Sequence, residues 1–148
     1  DIDREKLYSA FDWYTLKDRS LNESFSIREE KCLKESRELI SNLNDLLPDF
    51  KALKVSSSQF HDSGASITQE LAFTLAAGVE YLDRLTEMDL TVDQISQQMM
   101  FSFSVGSNYF MEIAKLRAAR LLWAQIMEQF KPKNETSKIM QIEVKNLY

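Results

Sequence analysis

Residues Phe101 to Phe130 read FSFSVGSNYFMEIAKLRAARLLWAQIMEQF, and the change of rhythm inside that stretch decides the fold class. Met99 to Val105 is a short run rich in apolar residues that reads as a strand. Gly106 ends it and permits a turn, Ser107 or Asn108 is placed to cap exposed amides, and a helix follows. Along that helix Tyr109, Ile113, Leu116, Trp123, Met127 and Phe130 share one face, while Phe110, Ala114, Leu121, Leu122 and Ile126 cover much of the remainder. A helix apolar nearly all round is expected to be buried on more than one side. Arg120 falls within the stripe and would need a carboxylate or carbonyl partner there, and Arg117 and Arg120 are otherwise expected to snorkel or pair at a rim. A subunit contact is the sharper reading of the two arginines.

Working outward, the same alternation recurs. Ser26/Glu29, Ser66/Gln69 and Thr91/Gln94 each have the spacing of a capping box, in which side chain and backbone satisfy each other at a helix start. The first predicts a helix to about Leu46, with Leu33, Ile40, Leu43 and Leu47 at helical spacing and Pro48 forbidding continuation. The second predicts a helix from Ile67 to about Thr86 with Leu71, Leu75, Val79 and Leu82 inward. Its small residues Ala72, Ala76, Ala77 and Gly78 would let a sheet approach closely. The third caps a short helix, Val92 to about Gln98. Strands are expected at Ala52–Ser57, Met99–Val105 and Ile139–Val144, with a further one at Ala10–Thr15.

Strands alternating with long helices imply a parallel sheet. A complete eight-stranded (β/α) barrel takes roughly 250 residues, against the 148 here. The fold class is therefore α/β, a partial (β/α) TIM-type barrel of about half the full strand count, in a single fragment spanning residues 1–148. Half a barrel leaves open parallel edges, which invite self-association or another chain. Three glycines in the whole sequence are few for a complete enzyme of this class, which again reads as a piece of something larger.

Composition narrows the function. Hydrophobic residues make up 44%, enough for a packed core, and 18 basic against 23 acidic side chains give a net charge of −5. That balance offers no broad cationic surface for nucleic acid or anionic lipid, so neither is expected as a partner. No apolar run reaches the roughly 20 residues that span a bilayer, and DIDREKLY lacks the features of a signal peptide, so a cytoplasmic location is expected. Cys32 has no partner for a disulfide and no histidine at ligand spacing, and is read as a small buried hydrophobe.

The segments FHDSGAS, QELAFTLAAGVEYL and VGSNYFMEIAKLRAARLLW, in that order between Gln59 and Phe130, resemble the cobalamin-dependent methylmalonyl-CoA mutase family. The Ile142–Tyr148 tail carries no such likeness. The resemblance implies the acyl-CoA-binding barrel of an isomerase that interconverts succinyl-CoA and methylmalonyl-CoA through a radical made from adenosylcobalamin. Many bacterial members pair a catalytic large chain with a small chain lacking a working active site. Catalytic chains have Tyr-His followed by three residues including a glutamate and then Ala-Gly, whereas here Phe60-His61 runs directly into Asp62, Ser63 and Gly64. Phe60 has no hydroxyl to donate. Catalytic members also tend to carry tryptophan in the strand before Gly106, where this chain has Phe101, Phe103 and Ser104.

The resemblance therefore points to the small subunit, with a catalytic large subunit as heterodimeric partner, no catalytic residue, no cobalamin-binding domain and no cofactor in this fragment. Candidate barrel-mouth or acyl-CoA contacts are Phe60, His61, Ser107, Asn108 and Gln141. QFHDSG comes close to an Asp-x-His-x-x-Gly motif that supplies a histidine to cobalt, but Gln59 stands where the aspartate belongs, so no metal ligand is assigned. His61 reads first as a structural loop residue and second as an acyl-CoA contact. Two alternatives stay open: a barrel fragment of a catalytic acyl-CoA mutase chain, and a free-standing α/β interaction module. No phosphate-cradling loop, zinc spacing or nucleophile elbow is present.

Overall fold

The computed structural model describes residues 25–46 and 50–146, without the side chains of residues 25–30, 32, 44–46 and 146. The strand expected at Ala10–Thr15, the apolar position Leu47, the stop at Pro48 and the side chain of Cys32 lie outside the described residues. Along the chain run α1 (Phe25–Leu46), β1 (Leu53–Ser56), α2 (Ser58–Asp62), α3 (Ile67–Thr86), α4 (Val92–Gln98), β2 (Met99–Val105), α5 (Tyr109–Phe130), a 3-10 turn (Glu135–Lys138) and β3 (Ile142–Asn146). The three strands form one parallel sheet in the order β1-β2-β3, which is the α/β, partial-barrel architecture expected.

Two capping boxes form as read: Ser66 accepts from the Gln69 amide and Thr91 from the Gln94 amide, each glutamine reaching back to the cap. These contacts are local, and α3 and α4 accordingly start where the sequence placed them. Ser26 is different. Its backbone is already helical, because α1 begins at Phe25. Between β1 and α3, where a loop was expected, the five-residue α2 intervenes and Gly64 makes the following turn at φ +82°, a conformation that favours glycine. α5 ends at Lys131, itself left-handed at φ 51°, and Pro132 then bars continuation.

α3 and α5 pack together over one face of the sheet, while α1 lies on α4 and α3, held also by Arg37 donating to the Met88 carbonyl at 2.8 Å. Leu53, Val55, Phe101 and Phe103 from the strands meet Leu75, Leu82, Leu85, Ile95, Trp123 and Met127, all buried. Gly78 is the point of closest approach. A Cβ there would stand 2.7 and 2.9 Å from the Phe101 ring and 3.0 Å from Trp123. Gly78→Ala gains about 1 kcal/mol of helix propensity but overpacks a ring pinned against Trp123, which typically costs about 1–3 kcal/mol. Net destabilisation of about 1 kcal/mol is the expected result in urea unfolding. Of the other small residues, Ala77 is half-buried against the core, while Ala72 and Ala76 are exposed.

The opposite face of the sheet is polar in pattern. By register Lys54, Ser56, Met100, Ser102, Ser104, Glu143 and Lys145 alternate with the apolar side. Lys54 crosses over β2 to place Nζ 2.5 Å from Glu143 Oε2, and this ammonium holds the Glu143 carboxyl below the usual carboxylate range despite partial burial.

The chain between α5 and β3 is anchored by Asp93 at the start of α4. Its carboxylate accepts from the Lys133 amide at 3.0 Å, the Asn134 amide at 3.1 Å and the Ser137 hydroxyl at 2.6 Å. Partial desolvation alone would raise its pKa, but the Ser137 hydroxyl, the two amides and the Lys133 charge together hold it below the usual range. The sign follows: the unfolded aspartate takes up its proton at higher pH than the folded one, so this anchor stabilises at neutral pH and is lost as acid is added below about pH 4. Asp93→Asn, which cannot accept at both ends, is expected to cost about 1–2 kcal/mol at pH 7. In urea unfolding across pH 2.5–7 that deficit should shrink at the acid end.

Candidate functional site

Parallel α/β sheets present their ligand-binding loops beyond the C-terminal ends of the strands. Beyond β1 and β2 that edge holds a buried polar cluster. Ser57 continues the line of β1, its amide donating to the Ser102 carbonyl at 2.9 Å, while its Oγ accepts from the Ser104 amide at 3.1 Å and donates to Glu70 Oε1 at 2.5 Å. Glu70, in the first turn of α3, is 1% exposed. Its Oε2 lies 3.1 Å from Lys115 Nζ and 3.4 Å from His61 Nδ1.

Lys115 is the only cation among the described residues that sits wholly inside, its side chain 0% exposed. It donates to the Ser104 carbonyl at 2.7 Å and lies 2.7 Å from Glu112 Oε2, an ion pair whose alignment is not that of a hydrogen bond. Glu112 Oε1 accepts from the Gly106 amide at 3.2 Å. Two carboxylates thus share one ammonium, and each also takes a neutral donor, as buried charges require. Every member is set by its element: Glu70 by the capping box that starts α3, Glu112 by the start of α5 and Lys115 one turn later.

The sequence candidates divide. Phe60 and His61 sit on α2 beside this cluster, Phe60 against Phe73 with ring centroids 5.4 Å apart. Ser107 and Asn108 are exposed on the turn after β2. Asn108 is the N-cap residue of α5 but makes no side-chain capping bond. Gln141 does not join them. The third strand begins at Ile142, later than the Ile139 read from sequence because a 3-10 turn takes up Glu135–Lys138. Gln141 therefore lies at the opposite edge, where its carbonyl accepts from the Phe101 amide at 2.9 Å.

The expected face of α5 also shifts. Of the expected stripe, Trp123 and Met127 are buried and Leu116 and Phe130 pack against the core, but Tyr109 and Ile113 are 70% and 40% exposed, and at this end the helix buries Glu112, Lys115 and Ala119 instead. Arg120 is exposed and needs no internal partner; Arg117 is exposed too.

Sequence reading missed Glu70, Glu112, Lys115 and Ser57. A signal existed: stepping back by fours from Met127 through Trp123 and Ala119 lands on Lys115. The same step from Gly78 through Thr74 lands on Glu70.

Among the described residues no group of three His, Cys, Asp or Glu side chains could hold a metal ion, and no helix is long and apolar enough to cross a membrane. A carboxylate does touch the imidazole, but it is Glu70 of α3, already engaged by Ser57 and Lys115, and Gln59 provides no substitute. The residues present do not fit a cobalt ligand set.

Residues 1–146 match the family model described as methylmalonyl-CoA mutase, a span that includes most of the tail without a sequence likeness of its own. The chain is 52% identical over 97 residues, 64% of its length, to the methylmalonyl-CoA mutase small subunit of Porphyromonas gingivalis. It is 36% identical over 136 residues, 92% of its length, to the methylmalonyl-CoA mutase of Rhizobium meliloti. With the methylmalonyl-CoA mutase large subunit of Streptomyces virginiae it shares 35% over 133 residues, 90% of its length. It spans 16%, 19% and 18% of those three proteins respectively.

Proposed function

The chain belongs to the methylmalonyl-CoA mutase family, and from that premise we propose that it forms part of the small subunit, contributing barrel fold and subunit interface rather than chemistry. The observation that carries this reading is the likeness of 52% to a small subunit, against 35% to 36% for a large subunit and a mutase not named as a subunit. The site agrees with it. His61, the one histidine, touches a glutamate that is committed to a buried ion cluster, and its neighbour Phe60 has no hydroxyl to offer a substrate.

An interface role is supported by the outer side of α5. Tyr109, Phe110, Leu121 and Leu122 are 70%, 81%, 63% and 39% exposed there, apolar side chains of the kind a partner subunit covers. On this reading the partner is the catalytic large subunit, in a cytoplasmic heterodimer that engages neither nucleic acid nor membrane. Adenosylcobalamin supplies a carbon-centred radical when bound to the complete enzyme, and this segment contributes no ligand to it. What the segment does is hold a barrel wall and bury charge at its mouth.

The test is to mix the full-length chain with a catalytic partner subunit and measure association and isomerisation of methylmalonyl-CoA. A complex with activity, and no turnover by the chain alone, is the expected result; no association at all overturns the proposal. A second reading, a segment of a catalytic chain, is favoured by the 92% coverage of the match to the Rhizobium protein and by the 31% exposure of the His61 side chain. It requires His61→Ala in the full-length protein to slow the rearrangement, and an unchanged rate excludes it.

A further inference from the structure

Two loops meet at the mouth edge of this sheet, and one buried ammonium stands between them. The segment Ser57–Ala65 after β1 carries Phe60 and His61. The turn Gly106–Asn108 after β2 carries Ser107 and Asn108. Glu70 grips the first through Ser57 Oγ at 2.5 Å and His61 Nδ1 at 3.4 Å. Glu112 grips the second through the Gly106 amide at 3.2 Å. Lys115 Nζ lies 3.1 Å from Glu70 and 2.7 Å from Glu112, and its side chain has no exposed surface.

Water therefore cannot replace either carboxylate when one of them moves, and in a poorly solvated site an unanswered charge is heavily penalised. A displacement of Glu70 must be followed by Lys115, and through it by Glu112 and the amide of Gly106. We propose that Lys115 is a positioning residue that couples the two mouth loops. A ligand or partner that draws His61 away from Glu70 reshapes the Gly106–Asn108 turn, and the reverse transmission is equal by linkage. This holds whichever kind of subunit the chain comes from, since it uses only contacts within the fold.

The experiment is a double-mutant cycle in the full-length chain, read by amide hydrogen exchange. His61→Ala is expected to speed exchange in the Gly106–Asn108 turn about tenfold at the Gly106 amide, the one bonded to Glu112, while leaving α4 and the Asp93-anchored turn unchanged. In a Lys115→Met background the same replacement should no longer alter Gly106–Asn108. If Lys115→Met does not fold, Glu112→Gln takes its place. It keeps an oxygen for the Gly106 amide but removes the charge that Lys115 answers, and should reduce the response at least about threefold. A response to His61→Ala confined to residues 57–66 overturns the coupling. So does a response at Gly106–Asn108 that persists undiminished in whichever background folds. A purely structural Lys115 would lower stability in these variants without abolishing the cross-loop response.

Discussion

Replacing Lys115 with alanine is expected to destabilise the fold by about 3–5 kcal/mol, the usual cost of breaking a buried ion pair from one side. The reason is what remains. Glu70 and Glu112, 1% and 7% exposed, would keep two negative charges inside with no cation, and the Ser104 carbonyl would lose its 2.7 Å donor. Chemical denaturation at neutral pH measures the loss as a drop in midpoint at unchanged slope. A variant that replaces all three charges together, Glu70→Gln, Lys115→Met and Glu112→Gln, should recover much of the loss, since an uncharged cluster leaves no ion unpaired.

Phe101→Ala is expected to cost about 3–5 kcal/mol as well, through a different mechanism: lost burial plus the cavity left behind. Phe101 is 1% exposed and stands edge-on to Trp123 with ring centroids 4.6 Å apart, directly under Gly78. Neither partner can collapse into the space. Gly78 has no side chain to extend, and Trp123 is fixed along α5. Urea unfolding reads the loss of stability, and loss of the edge contact should change Trp123 fluorescence. A coupled outcome is also expected: Phe101→Leu should relieve the crowding of Gly78→Ala, giving an interaction energy of about 1 kcal/mol between the two sites.

How much of this was legible beforehand differs by element. The limits of α3 and α4 were readable because a capping box closes within four residues and depends on nothing distant. β2 was readable from its bounded apolar run and the glycine after it. The start of β3 was misplaced by three residues, because Ile139 has the composition of a strand but follows a 3-10 turn held by Asp93, some 40 residues earlier in the chain. At the mouth, His61, Ser107 and Asn108 were named because their residue types suggest chemistry. Glu70, Glu112 and Lys115 were passed over because charged residues on helices are ordinarily solvated.

The helix opened on here shows the division most clearly. Sequence alone determined that Phe101–Phe130 is a strand, a turn and a helix, and which family that unit resembles, because both rest on local spacing and residue identity. Only the tertiary structure decided which side of the helix faces inward over its first turns, where Lys115 takes the place read for Tyr109 and Ile113. Burial is set by what lies across the contact: Glu70, 45 residues away, offers Lys115 a charge partner, whereas the apolar Tyr109 and Phe110 pack only edge-on to each other and remain exposed on this chain. A pattern nearly uniform around the helix carries no preference of its own, so the partners on α3 and β2 supplied it.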